Sequence, residues 1–253
     1  MNCIGFKRVH ALARGFEVLE LLARKKEPLG ISEIAAKLKM HKGTVFSMVH
    51  TLAEVGVLEN SDGKYIFGPK LYLLGKAAEK GSNLIRAVHP YLEKISRQTN
   101  LSAILGMRLG LRVIVLDKAD LGFKFKISLD IGSQIPLVAG AHGKAFLSQL
   151  ADDELNDLLS VVELRDFTPH SCVSGAEYKQ MIRLARAEGI AEDKEEFIEG
   201  IRALAVPLET GRKEPQTAIW VMGLSGQLKD PEMKSCSKIL KSVAAEIKHQ
   251  FSI

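Results

Sequence analysis

Residues 31–58 read ISEIAAKLKMHKGTVFSMVHTLAEVGVL. Ile31, Ile34, Ala35 and Leu38 recur at the spacing that lines one face of a helix, and Ser32 is placed to cap its start. Lys39, Met40 and His41 leave room only for a sharp turn. Val45, Met48, Val49, Leu52 and Val55 then resume the helical spacing, and Gly56 ends the second helix, because a residue without Cβ takes the left-handed cap conformation at little cost. Two short helices joined this way cross steeply and leave the start of the second one open. Here that face carries Lys42, Gly43, Thr44, Ser47 and His50. Small and polar side chains at such a helix start suit entry into a DNA major groove.

The flanking residues extend the pattern. Residues 57–59 and 64–67 stand on either side of Asn60-Ser61-Asp62-Gly63, a turn-forming tetrapeptide, and predict a small hairpin whose Lys64 joins the DNA-facing set. Upstream, residues 9–24 predict a first helix in which Leu12, Phe16, Leu19 and Leu22 or Ala23 close the core beneath the other two. Arg14 on that helix is within reach of a phosphate or a minor groove. Three helices and a hairpin make a winged helix-turn-helix over residues 1–68. The same fold also serves to dock other proteins, so charge has to decide between the two uses.

The chain carries 35 Lys+Arg against 30 Asp+Glu over 253 residues. Residues 1–80 hold 13 of the basic and 8 of the acidic side chains, and residues 81–253 hold 22 of each. The whole excess of five positive charges therefore lies on the winged-helix segment. A polyanion such as double-stranded DNA explains that asymmetry, since lysines and arginines near phosphates release condensed counterions. No apolar run is long enough to span a membrane, and the amino terminus lacks the pattern of a secretion signal, so a cytoplasmic protein is expected. Cys3, Cys172 and Cys236 are odd in number and far apart, which argues against a disulfide framework or a cysteine-rich zinc site.

Pro69 opens a further helix, predicted over 69–80 and read with residues 81–82 as a linker, before a second helical run over 83–98 that Pro90 should kink or restart. From position 101 the pattern turns to strands. Residues 102–108 and 112–119 read as a hairpin around Leu109-Gly110, with 123–129 a third strand. Helical composition follows at 140–150, 152–160 and 175–187, then strands at 189–192, 203–208 and 217–224, and a closing amphipathic helix over 231–251. Strands grouped together with helices around them imply an α+β second domain, over residues 83–253, of a shape that holds small ligands.

Together with the winged helix, three blocks resemble the IclR family of bacterial transcription regulators over almost the full length: PLVAGAHGKAFLSQL at 136–150, GIAEDKEEFIEGIRALAVPL at 189–208 and VMGLSGQL at 221–228. Each block is weak alone, and their order and spacing make the combination specific. The resemblance implies a DNA-binding domain that dimerises, a linker helix, and an effector-binding domain with a GAF-like or profilin-like antiparallel sheet and flanking helices, which often mediates tetramers. It implies a ligand-responsive regulator that binds its operator as a homodimer or homotetramer, with no cofactor. Carried over by position, the effector site comprises Ala141 and His142, Asp193, Ala203, Gly223 and Ser225.

A small organic effector, a carboxylate or an aromatic molecule, is the implied ligand. Helix-start N–H groups favour a carboxylate and a serine hydroxyl can orient it. Ala203 stands where many members carry cysteine and Gly223 where serine is common, which favours a less polar or aromatic ligand. His142 occupies a position that is usually small; it can narrow the pocket, donate to an anion, or join Asp193 around a metal, although two ligands fall short of a zinc site. Ser47 and Gly43 replace a common arginine and serine, which leaves the operator open.

The competing class is an enzyme, or a ligand-binding protein whose winged helix docks another protein. The chain lacks a G-x-S-x-G elbow, an H-E-x-x-H pair and a G-x-x-x-x-G-K-[ST] loop. His170 and Cys172 are close in sequence, yet no third group is nominated to orient them as base and nucleophile. No catalytic residue is expected.

Overall fold

The computed structural model describes residues 9–25, 27–81, 83–120, 127–209 and 216–251. The chain divides into two compact units, Met1–Ser82 and Asn83–Ile253.

The first unit contains α1 (His10–Lys25), β1 (Leu29–Gly30), α2 (Ile31–Leu38), α3 (Lys42–Glu54), β2 (Leu58–Ser61), β3 (Lys64–Phe67) and α4 (Pro69–Gly81). Its core is built from Val18, Leu21 and Leu22 of α1, Ile34 and Ala35 of α2, Val45 and Val49 of α3, and Leu29, Leu58 and Tyr65 of the strands. The buried face of α1 overlaps the expected one only in part: Leu22 is in the core and Leu19 packs against it, but the first two members of the stripe are not. Leu12 and Phe16 are exposed at 63% and 58%, while the helix turns Val18, Leu21 and Leu22 inward.

Local chemistry explains the ends of these helices. Gly30, not Ser32, caps α2, with the Glu33 carboxylate accepting the Gly30 N–H at 2.8 Å. His41 caps α3, its Nδ1 accepting the Gly43 N–H at 3.2 Å. At the other end of α3, Gly56 takes φ +76°, and the Gly56 and Val57 N–H groups donate to the Ala53 and Leu52 carbonyls. That is a Schellman ending, and it turns the chain into the wing.

The wing is a three-stranded antiparallel sheet in the order β1-β3-β2. Its turn is tighter than the predicted tetrapeptide. Only Asp62 and Gly63 lie outside the ladder, both at positive φ as a type I′ turn requires, while Asn60 and Ser61 pair with Tyr65 and Lys64. Strand β1, two residues long, is too short for any alternation to announce it.

The second unit begins with α5 (Asn83–Thr99), which runs on through Pro90 as one helix and does not restart. Then come β4 (Ser102–Leu109), β5 (Arg112–Ala119), β6 (Gln134–Pro136), α6 (Gly140–Leu147), α7 (Asp152–Val161), α8 (Gly175–Glu188), β7 (Ala191–Lys194), β8 (Ile201–Leu208), β9 (Thr217–Leu224) and α9 (Asp230–Phe251). The strand expected at 123–129 falls partly outside the described residues, and 127–129 is irregular; β6 fills the third place.

The six strands form one antiparallel sheet in the order β6-β5-β4-β9-β8-β7. Strand alternation divides its side chains between two cores. Ile104, Val113, Ala203, Trp220 and Met222 face α6, α7 and α8, while Leu105, Leu204, Ile219 and Val221 face α5 and α9. Residues of α6 are buried on every side, so its polar members, His142 and Lys144, must find partners inside the protein.

Candidate DNA-reading face and effector cavity

On the first unit, Lys42, Gly43, Ser47 and His50 are exposed along α3 and Thr44 is half-buried, while Arg14 on α1 and Lys64 on β3 are also exposed. The helical spacing that buries Val45 and Val49 leaves this face outward. The Ser47 hydroxyl donates to the Gly43 carbonyl at 3.2 Å. His50 is tied to the wing through the hydroxyl of the buried Tyr65, 3.3 Å from its Nε2. The ring of Phe46, 52% exposed, lies 4.1 Å from that of His50. Phe46 is absent from the expected set. Its signal was available, since it is the one aromatic of α3 and falls off the Val45/Val49 stripe.

On the second unit, a cavity of about 30 Å³ opens on the α6 side of the sheet. Three of the six expected residues, His142, Asp193 and Ala203, line it. Ala141 does not; it is fully buried in the core between α6 and the sheet. Gly223 and Ser225 do not either. Strand alternation turns Gly223 to the opposite face, where a Cβ would stand 2.6 Å from Leu101, and Ser225 sits past the strand end with its N–H on the Gly200 carbonyl. The β9 residues on the cavity wall are Trp220 and Met222. Trp220 has room because Gly106 beneath it lacks a side chain; a Cβ there would lie 2.5 Å from the indole. Ile201, Phe197 and Ile198 contribute further apolar surface.

The two polar side chains are held differently. His142 Nε2 lies 3.1 Å from the Pro136 carbonyl, which can only accept, so Nε2 carries the proton and Nδ1 is a lone pair. Burial pushes its pKa down to about 4, so the ring is neutral at physiological pH. Asp193 accepts the Glu196 N–H with Oδ1 at 2.7 Å, and burial raises its pKa to about 6 despite that bond. Lys144 is 3% exposed and donates to both Glu196 oxygens, at 2.6 and 2.7 Å. Gly143 serves packing, since a Cβ there would run into the Leu137 carbonyl. Among the described residues no three His, Cys, Asp or Glu side chains come together as a metal set. His170 and Cys172 lie apart from this cavity, on an open groove beside α8.

Comparison with known proteins agrees with this architecture. Residues 11–62 match the IclR helix-turn-helix domain and residues 76–249 match the bacterial transcriptional regulator IclR C-terminal domain. The chain is 26% identical over 245 residues to the transcriptional repressor IclR of Escherichia coli (strain K12), covering 95% of this chain and 89% of that one. The crystal structure of an IclR-type transcriptional regulator from Alicyclobacillus acidocaldarius superposes with a TM-score of 0.86 at 26% identity, over 97% of this chain and 100% of that one. An IclR homologue from Microbacterium hydrocarbonoxydans, solved in complex with 4-hydroxybenzoate, has the same fold, with a TM-score of 0.78 at 20% identity over 96% and 99% of the two chains. These relatives are named as transcription regulators and not as enzymes. A winged helix with an open polar face, a six-stranded sheet carrying a small lined cavity, and family matches across both units lead to one assignment: the chain belongs to the IclR family of DNA-binding bacterial transcription regulators.

Proposed function

We propose that this regulator reads a double-stranded operator as a homodimer or homotetramer in the cytoplasm, and that a small organic effector in the cavity beside α6 changes its occupancy. Residues 1–68 act as the reader, 69–82 as the linker and 83–253 as the sensor. The observation that carries the reading is the α3 face of exposed Lys42, Ser47 and His50 with half-buried Thr44, on the segment that holds all the excess positive charge.

Self-association is supported by the outer side of the first unit. Val9 just before α1, Leu12 and Phe16 along it, and Tyr72, Leu73 and Leu74 on α4 are each more than half exposed, apolar surface that a second copy would cover. Effector control is supported by the cavity and by the aromatic acid bound to the Microbacterium fold relative. A ligand acts as a switch only through its different affinity for two arrangements; a difference of about 2 kcal/mol is enough. Titration of the full-length protein against genomic fragments tests the reading. Tight, sequence-selective binding that weakens steeply between low and moderate salt is expected. Absence of binding in dilute buffer would falsify it.

A further inference from the structure

Of the polar side chains lining the cavity, Trp220 brings an indole N–H that can only donate, while His142 and Asp193 are left with acceptors. His142 has committed its only N–H to the Pro136 carbonyl, which leaves a lone pair at Nδ1. Asp193 uses Oδ1 for the Glu196 N–H, which leaves Oδ2. Both remaining atoms lie toward Gly140, where a built Cβ would stand 3.5 Å from Nδ1 and 2.7 Å from Oδ2. A guest that meets these side chains therefore meets acceptors.

The Lys144 charge, which acts on both Asp193 and His142, is already engaged. Lysine and arginine are absent from the described residues lining the cavity, and buried Lys144 is held by both oxygens of Glu196. The start of α6 would favour an anion, but Gly140 is the first residue of that helix and the Asp193 carboxylate already faces it. An added carboxylate would sit beside a buried one in a medium of low dielectric, where like charges repel strongly. The other surfaces suit a ring. His142 lies 5.6 Å from Trp220 and 5.9 Å from Phe197, the latter edge to face. With about 30 Å³ free, a ring enters only as Phe197 and Ile198, on the segment between β7 and β8, move aside.

Resting on the effector reading above, we propose that this cavity selects an uncharged aromatic molecule that donates hydrogen bonds, and rejects the carboxylate of the same shape. The guest donates to Asp193 Oδ2 or His142 Nδ1 and packs against the His142 ring in place of Phe197, beside Trp220.

Matched pairs test the selection on the full-length protein at pH 7.5: benzamide against benzoate, and 4-hydroxybenzamide against 4-hydroxybenzoate, by titration calorimetry and thermal shift. The amide of at least one pair is expected to bind at least tenfold more tightly than its acid. In Asp193→Asn the acid should gain at least tenfold while the amide gains less. Ala203→Phe and Met222→Phe, which fill the cavity, should each abolish amide binding with an unchanged circular dichroism spectrum. Tighter binding of the acids overturns the proposal. So does equal binding within each pair, no binding by any probe, or amide binding that survives both filling variants. Operator binding is read separately, so loss of this selection leaves the DNA-reading assignment standing, and loss of DNA binding leaves the ligand measurement interpretable.

Discussion

At the residue scale, the cavity places two titrations in opposition. Asp193 is raised from 3.8 to about 6, so the folded state holds a proton that the unfolded chain has released, and its contribution to stability is lost as pH rises from about 4 to 6. His142 is lowered from 6.5 to about 4, so the unfolded chain takes up a proton that the folded state refuses, and stability is lost as pH falls through the same window. Asp193→Asn removes the first effect and keeps an acceptor for the Glu196 N–H. It is expected to stabilise the protein by on the order of 2 kcal/mol at pH 7.5, with the gain vanishing by about pH 4; urea midpoints at the two pH values measure it. The Lys144–Glu196 pair gives a second test. Glu196→Ala leaves a buried ammonium without its partner and should cost about 3 kcal/mol, more than Lys144→Met combined with Glu196→Leu. His142 and Asp193 could be named as candidates from sequence position, but the tautomer of one rests on the Pro136 carbonyl and the raised pKa of the other on burial, and only the folded structure fixes either.

At the element scale, α3 separates positioning from reading. Lys42 is exposed at the helix start, and Lys42→Ala should weaken binding to all duplexes alike, lowering the slope of affinity against salt by about 1. Phe46→Ala should change unfolding free energy by less than about 0.5 kcal/mol, because half of the ring is already in solvent, yet reduce operator affinity measurably. An equal loss of stability and binding would assign Phe46 to the core. His50 is coupled to Tyr65 across the wing, so Tyr65→Phe should shift operator preference without altering any exposed side chain. The spacing of Val45, Val49 and Leu52 made this helix legible, and its exposed face followed. The face of α1 followed only in part, because Leu12 and Phe16 continue the spacing of Leu19 and Leu22 outward, and which turns of an apolar stripe are covered cannot be ranked without the neighbouring elements.

For the whole molecule, separate cores predict separate responses. One core serves the first unit, and two lie on either face of the second unit's sheet. Scanning calorimetry with a bound aromatic amide should raise the transition of the second unit and leave that of the first within a degree, since a ligand stabilises the unit whose folded state it binds. Polar substitution of the exposed stripe, Leu12→Glu with Phe16→Glu, should lower the oligomeric state in sedimentation while each unit keeps its transition. A single joint transition would mean that the two units fold as one.

The sequence by itself determined the winged helix, the split in charge, and the type and order of most elements. These follow from spacing, capping and turn residues, all of which act within about a dozen positions. Tertiary structure alone decided the short strands β1 and β6, which pair with residues 34 to 36 and 20 to 24 positions away, and the membership of the cavity. Gly223 and Ser225 lie in the segment that borders the cavity, but a strand shows alternate residues to opposite faces, so Trp220 and Met222 line it while Gly223 faces away and Ser225 lies past the strand end.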